Sequence, residues 1–157
     1  MDNNDVLRRV RYILDLSDAK MMETFASTGF RVTRAQISDW LKKEDDPDVK
    51  KCEDRQLAIF LNGCITMLRG KKDGEQPVPE SRLNNNIIFR KLKIALNLQN
   101  EEILRILELA DFRLSRHELS AFFRKPDHKH YRPCKDQVLR NFLHGLQLRY
   151  RGEPDRK

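Results

Sequence analysis

Apolar residues recur along this chain three and four positions apart. Val6, Leu7, Val10, Ile13 and Leu14 form one stripe; Met21, Met22 and Phe25 form a second. Ile37, Trp40 and Leu41 follow, then Leu57, Phe60, Leu61 and Leu68. The order then returns as Ile88, Phe89, Leu92 and Leu96; Ile103, Leu104 and Leu107; Leu119, Phe122 and Phe123; and Leu139, Phe142, Leu143 and Leu146. Such spacing predicts amphipathic helices with these residues turned to the core. Alternating strand patterns are nearly absent, so the expected fold class is all-α.

Punctuation residues support eight helices. Thr33 with Gln36, and Ser115 with Glu118, read as capping boxes: the hydroxyl accepts from an orphan N–H and the third residue reaches back to the cap. Asp54 and Asp136 are expected N-caps of the last helix in each half. Gly29 suits a left-handed helix end, a role Asp111 fills less comfortably, and Gly70 and Gly152 stop the last helices.

The pattern is a duplication. Shifted by 82 positions, residues 2–70 align with 84–152 without a gap, and 19 of the 69 positions are identical. Residue usage alone gives roughly one identity in twenty. The identities include Asn3-Asn4/Asn85-Asn86, Arg31/Arg113, Arg34/Arg116, Cys52/Cys134, Asp54/Asp136 and Gly63/Gly145. The expected plan is two tandem pseudo-symmetric four-helix units, helix-turn-helix-like bundles, at 1–70 and 84–152. A Gly- and Pro-containing linker, 71–83, joins them, and a charged tail follows at 153–157. The recurrent Asn pairs read as helix caps at the start of each unit.

Charge changes the picture by being uneven. Of the net +7, none falls in residues 1–70, which hold 12 Lys/Arg against 12 Asp/Glu. Residues 84–157 hold 16 against 9, and all four histidines. Such asymmetry bears on partners and association rates. With no signal peptide pattern and no run of roughly 20 apolar residues, no membrane role is expected and a cytoplasmic location is. Three cysteines, an odd number, fit reduced thiols better than a disulfide framework.

The stretches NNDVLRRVRYIL, WLKKED, FLNGCITMLRG, NNNIIFRKLKIAL and PDHKHYRPC resemble the YehS-like family, short bacterial proteins built from a duplicated domain of unknown function. The resemblance covers essentially the whole chain. It implies a soluble bacterial protein with a tandem-repeat helical fold, and it brings no reaction, ligand or catalytic residue with it.

Chemistry concentrates in KPDHKHYRPC, Lys125 to Cys134. Asp127, His128, His130 and Cys134 are zinc-type donors, yet no C-x-x-C or H-x₃₋₅-H spacing occurs, and Lys129 and Arg132 stand among them. The first unit has Asp46 and Asp48 where the second has His128 and His130, an exchange ill suited to a structural zinc site. No metal and no cofactor is expected. Cys52 and Cys134 precede a helix, where a small apolar side chain would pack and where a thiolate would be favoured; Cys64 reads as core. The phosphate-loop, dinucleotide, zinc-protease and nucleophile-elbow motifs are missing, so the chain is expected to be a non-enzyme.

Binding remains. Arg116, His117, Ser120, Arg124 and Lys125 would face outward from the third helix of the second unit, with Arg113 just before it. The following loop adds His128, Lys129, His130, Tyr131 and Arg132. Such a surface neutralises phosphates and offers rings for stacking. The second and third helices resemble a helix-turn-helix, although the connection 27–33 exceeds the tight turn of that motif, which leaves RNA as open as DNA. The first unit is an internal control: Arg34, Gln36, Asp39, Lys42 and Lys43 on its helix, then Glu44, Asp45, Asp46 and Asp48. Arg31 and Arg34 either bind an anion there or anchor that acidic loop. The first expectation is therefore a nucleic-acid-binding or regulatory protein acting through its second repeat. The alternative is a helical adaptor that binds a protein partner through the first. A homodimer is compatible with either.

Overall fold

The computed structural model describes residues 1–71 and 73–152, and the charged tail 153–157 lies outside the described residues. Eight helices and no strands occur among them. They are α1 (Asn3–Ile13), α2 (Asp18–Ala26), α3 (Arg34–Leu41), α4 (Asp54–Arg69), α5 (Asn85–Ala95), α6 (Asn100–Leu109), α7 (Arg116–Phe122) and α8 (Asp136–Arg151). The chain divides into two compact units, Met1–Leu83 and the part that begins at Asn84, with four helices each.

In the first unit α4 is the central helix, buried along Leu57, Phe60 and Leu61, with α2 laid across it and α3 against α1 and α2. Phe25 sits at the centre, its ring 5.5 Å from both Trp40 and Phe60. The second unit repeats the plan around α8. There Phe89 stacks on Phe142 at 4.4 Å and meets Phe123 edge-on at 5.0 Å.

The close crossing in each unit is set by a glycine. A Cβ on Gly63 would lie 2.0 Å from the carbonyl oxygen of Thr24, and one on Gly145 would lie 2.1 Å from that of Ile106. Any side chain would push α4 off α2, or α8 off α6. Positive φ occurs at Gly29 and Asp111, as expected, at Gly70, Gly74 and Gly152, and also at Asp15 and Asn97, matched residues that turn the chain after α1 and α5.

Three expectations need correction. Leu68 is not core: it is 50% exposed, because α4 runs past the body of its unit in its last turn. Asp54 and Asp136 are the first helical residues and not the caps; Glu53 and Lys135 occupy the cap positions. The Asn pairs do not cap α1 and α5, whose caps are Asp2 and Asn84. Both capping boxes at α3 and α7 form as the spacing predicts.

Candidate nucleic-acid interface

The loop that carries most of the candidate chemistry is held by the displaced asparagines. Asn86 is buried, and its Nδ2 donates to the carbonyls of Phe122 (3.0 Å) and Arg132 (2.8 Å). Its Oδ1 accepts from the N–H of Cys134 at 2.8 Å. One side chain thus ties the end of α7 to the far end of the loop. Asn85 Nδ2 donates to Cys134 O (2.9 Å) and Asp136 Oδ1 (2.7 Å), and this bond is the chief reason the Asp136 carboxyl lies below its ordinary range.

The first unit repeats the clamp. Asn4 Nδ2 donates to Trp40 O and Lys50 O, and Cys52 N–H donates to Asn4 Oδ1. Asn3 donates to Cys52 O and Asp54 Oδ1. Asp54 also accepts from Leu83 N–H at 2.8 Å, fixing the end of the linker.

Between its fixed ends the loop makes two consecutive turns. His128 N–H donates to Lys125 O and Tyr131 N–H donates to His128 O, both at 2.9 Å. His130 N–H donates to His128 Nδ1 at 3.0 Å, taking the place that Asp46 Oδ1 holds toward Asp48 N–H in the first unit. The Arg132 N–H then returns to Ala121 O, 3.2 Å away, closing the loop onto α7.

This geometry sorts the candidate residues. Arg113, Arg116, His117, Lys125, His128, Lys129, His130 and Arg132 are all exposed, while Ser120, Arg124 and Tyr131 are half-buried. Arg116 Nη2 lies 3.5 Å from Glu101 Oε1 in an exposed pair, which binds either partner weakly. His117, Arg124, His130 and Arg132 converge with Glu118 and Ala121 on one concave cleft of about 440 Å³ between α7 and the loop. Glu118 is committed to its cap: Ser115 N–H donates to its Oε1, which holds its carboxyl below the ordinary range. In the first unit Arg31 and Arg34 are both exposed and neither anchors the acidic loop by an ion pair among the described residues.

The thiols do not join the site. Cys52, Cys64 and Cys134 are buried, and burial pushes each thiol up to about 12, which opposes thiolate formation. With Cys134 turned inward and His128 Nδ1 accepting a backbone bond, the zinc-type donors of the loop do not converge. Among the described residues no three His, Cys, Asp or Glu side chains do.

Sequence reasoning missed the clamp. Its signal was present in the recurrence of Asn4/Asn86 with Cys52/Cys134, but bonds spanning 36 to 51 residues are not visible in local spacing.

A family model described as "Protein of unknown function (DUF1456)" matches the chain twice, over residues 3–70 and 85–152. The chain is also similar to an "Uncharacterized protein YehS" of Escherichia coli (strain K12), with 45% identity over 150 residues, 95% of this chain and 96% of that protein. No solved structure matches. Among the described residues no helix is long and apolar enough to cross a membrane.

Proposed function

We propose, from the premise that the chain belongs to the DUF1456 family, that it is a non-enzymatic cytoplasmic protein whose second unit binds nucleic acid along α7 and the loop after it. The observation that carries this reading is the exposure of seven basic or imidazole side chains on one helix and one clamped loop, with Arg113 just before the helix as an eighth. Fixed cations on a rigid surface neutralise successive phosphates without first ordering a loop. Tyr131 and the His128 and His130 rings, whose centroids are 5.6 Å apart, offer faces for unstacked bases. At seven residues α7 is only about 10 Å long, and six residues separate it from α6. Both features favour single-stranded or looped RNA over docking of a recognition helix in a major groove.

Fluorescence polarisation with short single-stranded RNA, hairpin RNA and duplex DNA tests the reading. For about four phosphates engaged on a single strand, log K should fall with log salt at a slope of about −3. Arg116→Glu/Arg124→Glu should abolish binding. No binding even at low salt sinks it.

A second reading has its own support. Met67 and Leu68, 43% and 50% exposed at the end of α4, form an apolar step on the first unit that a protein partner would cover. A partner that stays bound after nuclease treatment and is lost on Leu68→Glu would favour this adaptor role.

A further inference from the structure

The two units carry different charges at the end of their third helix, where both keep the same backbone hydrogen bond. In the first unit the position after α3 is Lys42, and its Nζ meets Asp39 Oδ1 at 2.6 Å. That hydrogen bond, with Asp48 and Asp46 adding their charges, holds the Lys42 ammonium above its usual range. The matched residues in the second unit are Arg124 for Lys42, Ala121 for Asp39, His128 for Asp46 and His130 for Asp48. The backbone frame is retained: Lys50 N–H donates to Asp39 O at 3.1 Å, and Arg132 N–H to Ala121 O at 3.2 Å.

One cation among three carboxylates, net −2, has become one cation with none, net +1 with the histidines neutral. Arg124 has no carboxylate partner among the described residues, and its buried Nε finds no acceptor there. A buried N–H without an acceptor is destabilising, and such groups are rare in folded proteins. The concave cleft lies at this point, with Arg124, Arg132, His117 and His130 in its wall and Ala121 where the carboxylate-bearing residue of the first unit stands.

We propose that the cleft is a seat for a single phosphate monoester, the terminal phosphate of a nucleic acid, which takes the role that the Asp39 carboxylate plays toward Lys42 in the first unit. The identification of its source rests on the nucleic-acid reading above; the seat itself rests on the exchanged carboxylates. A monoester fits better than an internal diester on two grounds. It carries −1.5 to −2 charges at neutral pH and three acceptor oxygens, enough for a guanidinium fork and a second cation together. It also ends its chain, so it enters a concavity that a continuous backbone would only cross. Glu118 is the carboxylate of the wall and is already tied to its cap, leaving two arginines and two imidazoles to outweigh it.

The first unit supplies the variants that test this. Ala121→Asp restores the internal carboxylate, and His130→Asp restores a second one at an exposed position that leaves the core untouched. The full-length protein is titrated with a 5′-phosphorylated single-stranded RNA, with the same RNA ending in a hydroxyl, and with inorganic phosphate followed by the shift in thermal midpoint. The expected result is at least tenfold tighter binding of the phosphorylated RNA, a rise in midpoint with phosphate, and loss of both in either Asp variant. Equal, salt-sensitive binding of both RNAs that neither variant alters would overturn the seat while leaving the nucleic-acid reading standing. A midpoint shift with phosphate that the variants abolish, without binding of either RNA, would support the seat and overturn nucleic acid as its source. If Ala121→Asp does not fold, His130→Asp carries the comparison alone.

Discussion

At the scale of single residues the decisive side chain is Asn86. Its amide makes three hydrogen bonds, to Phe122, Arg132 and Cys134, in a site that excludes water. Truncation to alanine strands two carbonyls and one N–H, each a loss on the scale of about 1 kcal/mol or more. Asn86→Ala should therefore lower the unfolding free energy by about 3 kcal/mol in a denaturant titration, and Asn4→Ala should do the same through Trp40, Lys50 and Cys52. The two variants part in function. Only Asn86→Ala releases the basic loop, so only it should weaken oligonucleotide binding, although neither alters a charge. Equal loss of binding in both would mean that the loop's fixed shape is immaterial. Sequence hid this role, since an asparagine pair at a helix start looks like a cap, and what separates cap from clamp is a carbonyl some forty residues away. The reverse held for Thr33 and Ser115, whose partners lie three residues on, and both boxes form as the pattern predicts.

Elements follow the apolar stripes closely, because helical periodicity and burial are the same fact seen twice. Exceptions occur where tertiary packing stops before the stripe does. Leu68 continues the α4 pattern beyond the helices that would cover it, and Phe123 is only half-buried, with Lys93 Nζ 4.5 Å from its ring centre. The helix crossings were legible only as a coincidence, the shared glycine at positions 63 and 145. In an exposed helix Gly→Ala stabilises by about 1 kcal/mol through backbone entropy. At these crossings the added Cβ would lie about 2 Å from a carbonyl oxygen, so overpacking decides the sign. Gly63→Ala and Gly145→Ala should each destabilise by about 3 kcal/mol or more, read as a fall in thermal midpoint. A gain in midpoint for either would show that α2 over α4, or α6 over α8, is held less closely than this.

On the scale of the whole molecule the duplication supplies its own experiment. A protein with net charge +7 attracts a polyanion everywhere at low salt, so a loss of binding on removing cations says little about place. The repeat removes that ambiguity, because Arg31 and Arg34 of the first unit are the same residues, at matched positions and likewise exposed, as Arg113 and Arg116 of the second. Arg31→Glu/Arg34→Glu and Arg113→Glu/Arg116→Glu each change the net charge by −4, from +7 to +3. Their long-range effects on a polyanion are alike; their local effects are not, since only the second pair belongs to the unit that carries the clamped basic loop. The second pair should weaken RNA binding by at least tenfold and flatten the salt dependence by about 1.4 in slope, two phosphate contacts at about 0.7 each. The first pair should change affinity by no more than about threefold, the share owed to screened long-range attraction. Polarisation titrations of the two variants at three salt concentrations decide it. If both fall together, the attraction belongs to the charge of the chain as a whole and no face of the second unit is the binding site.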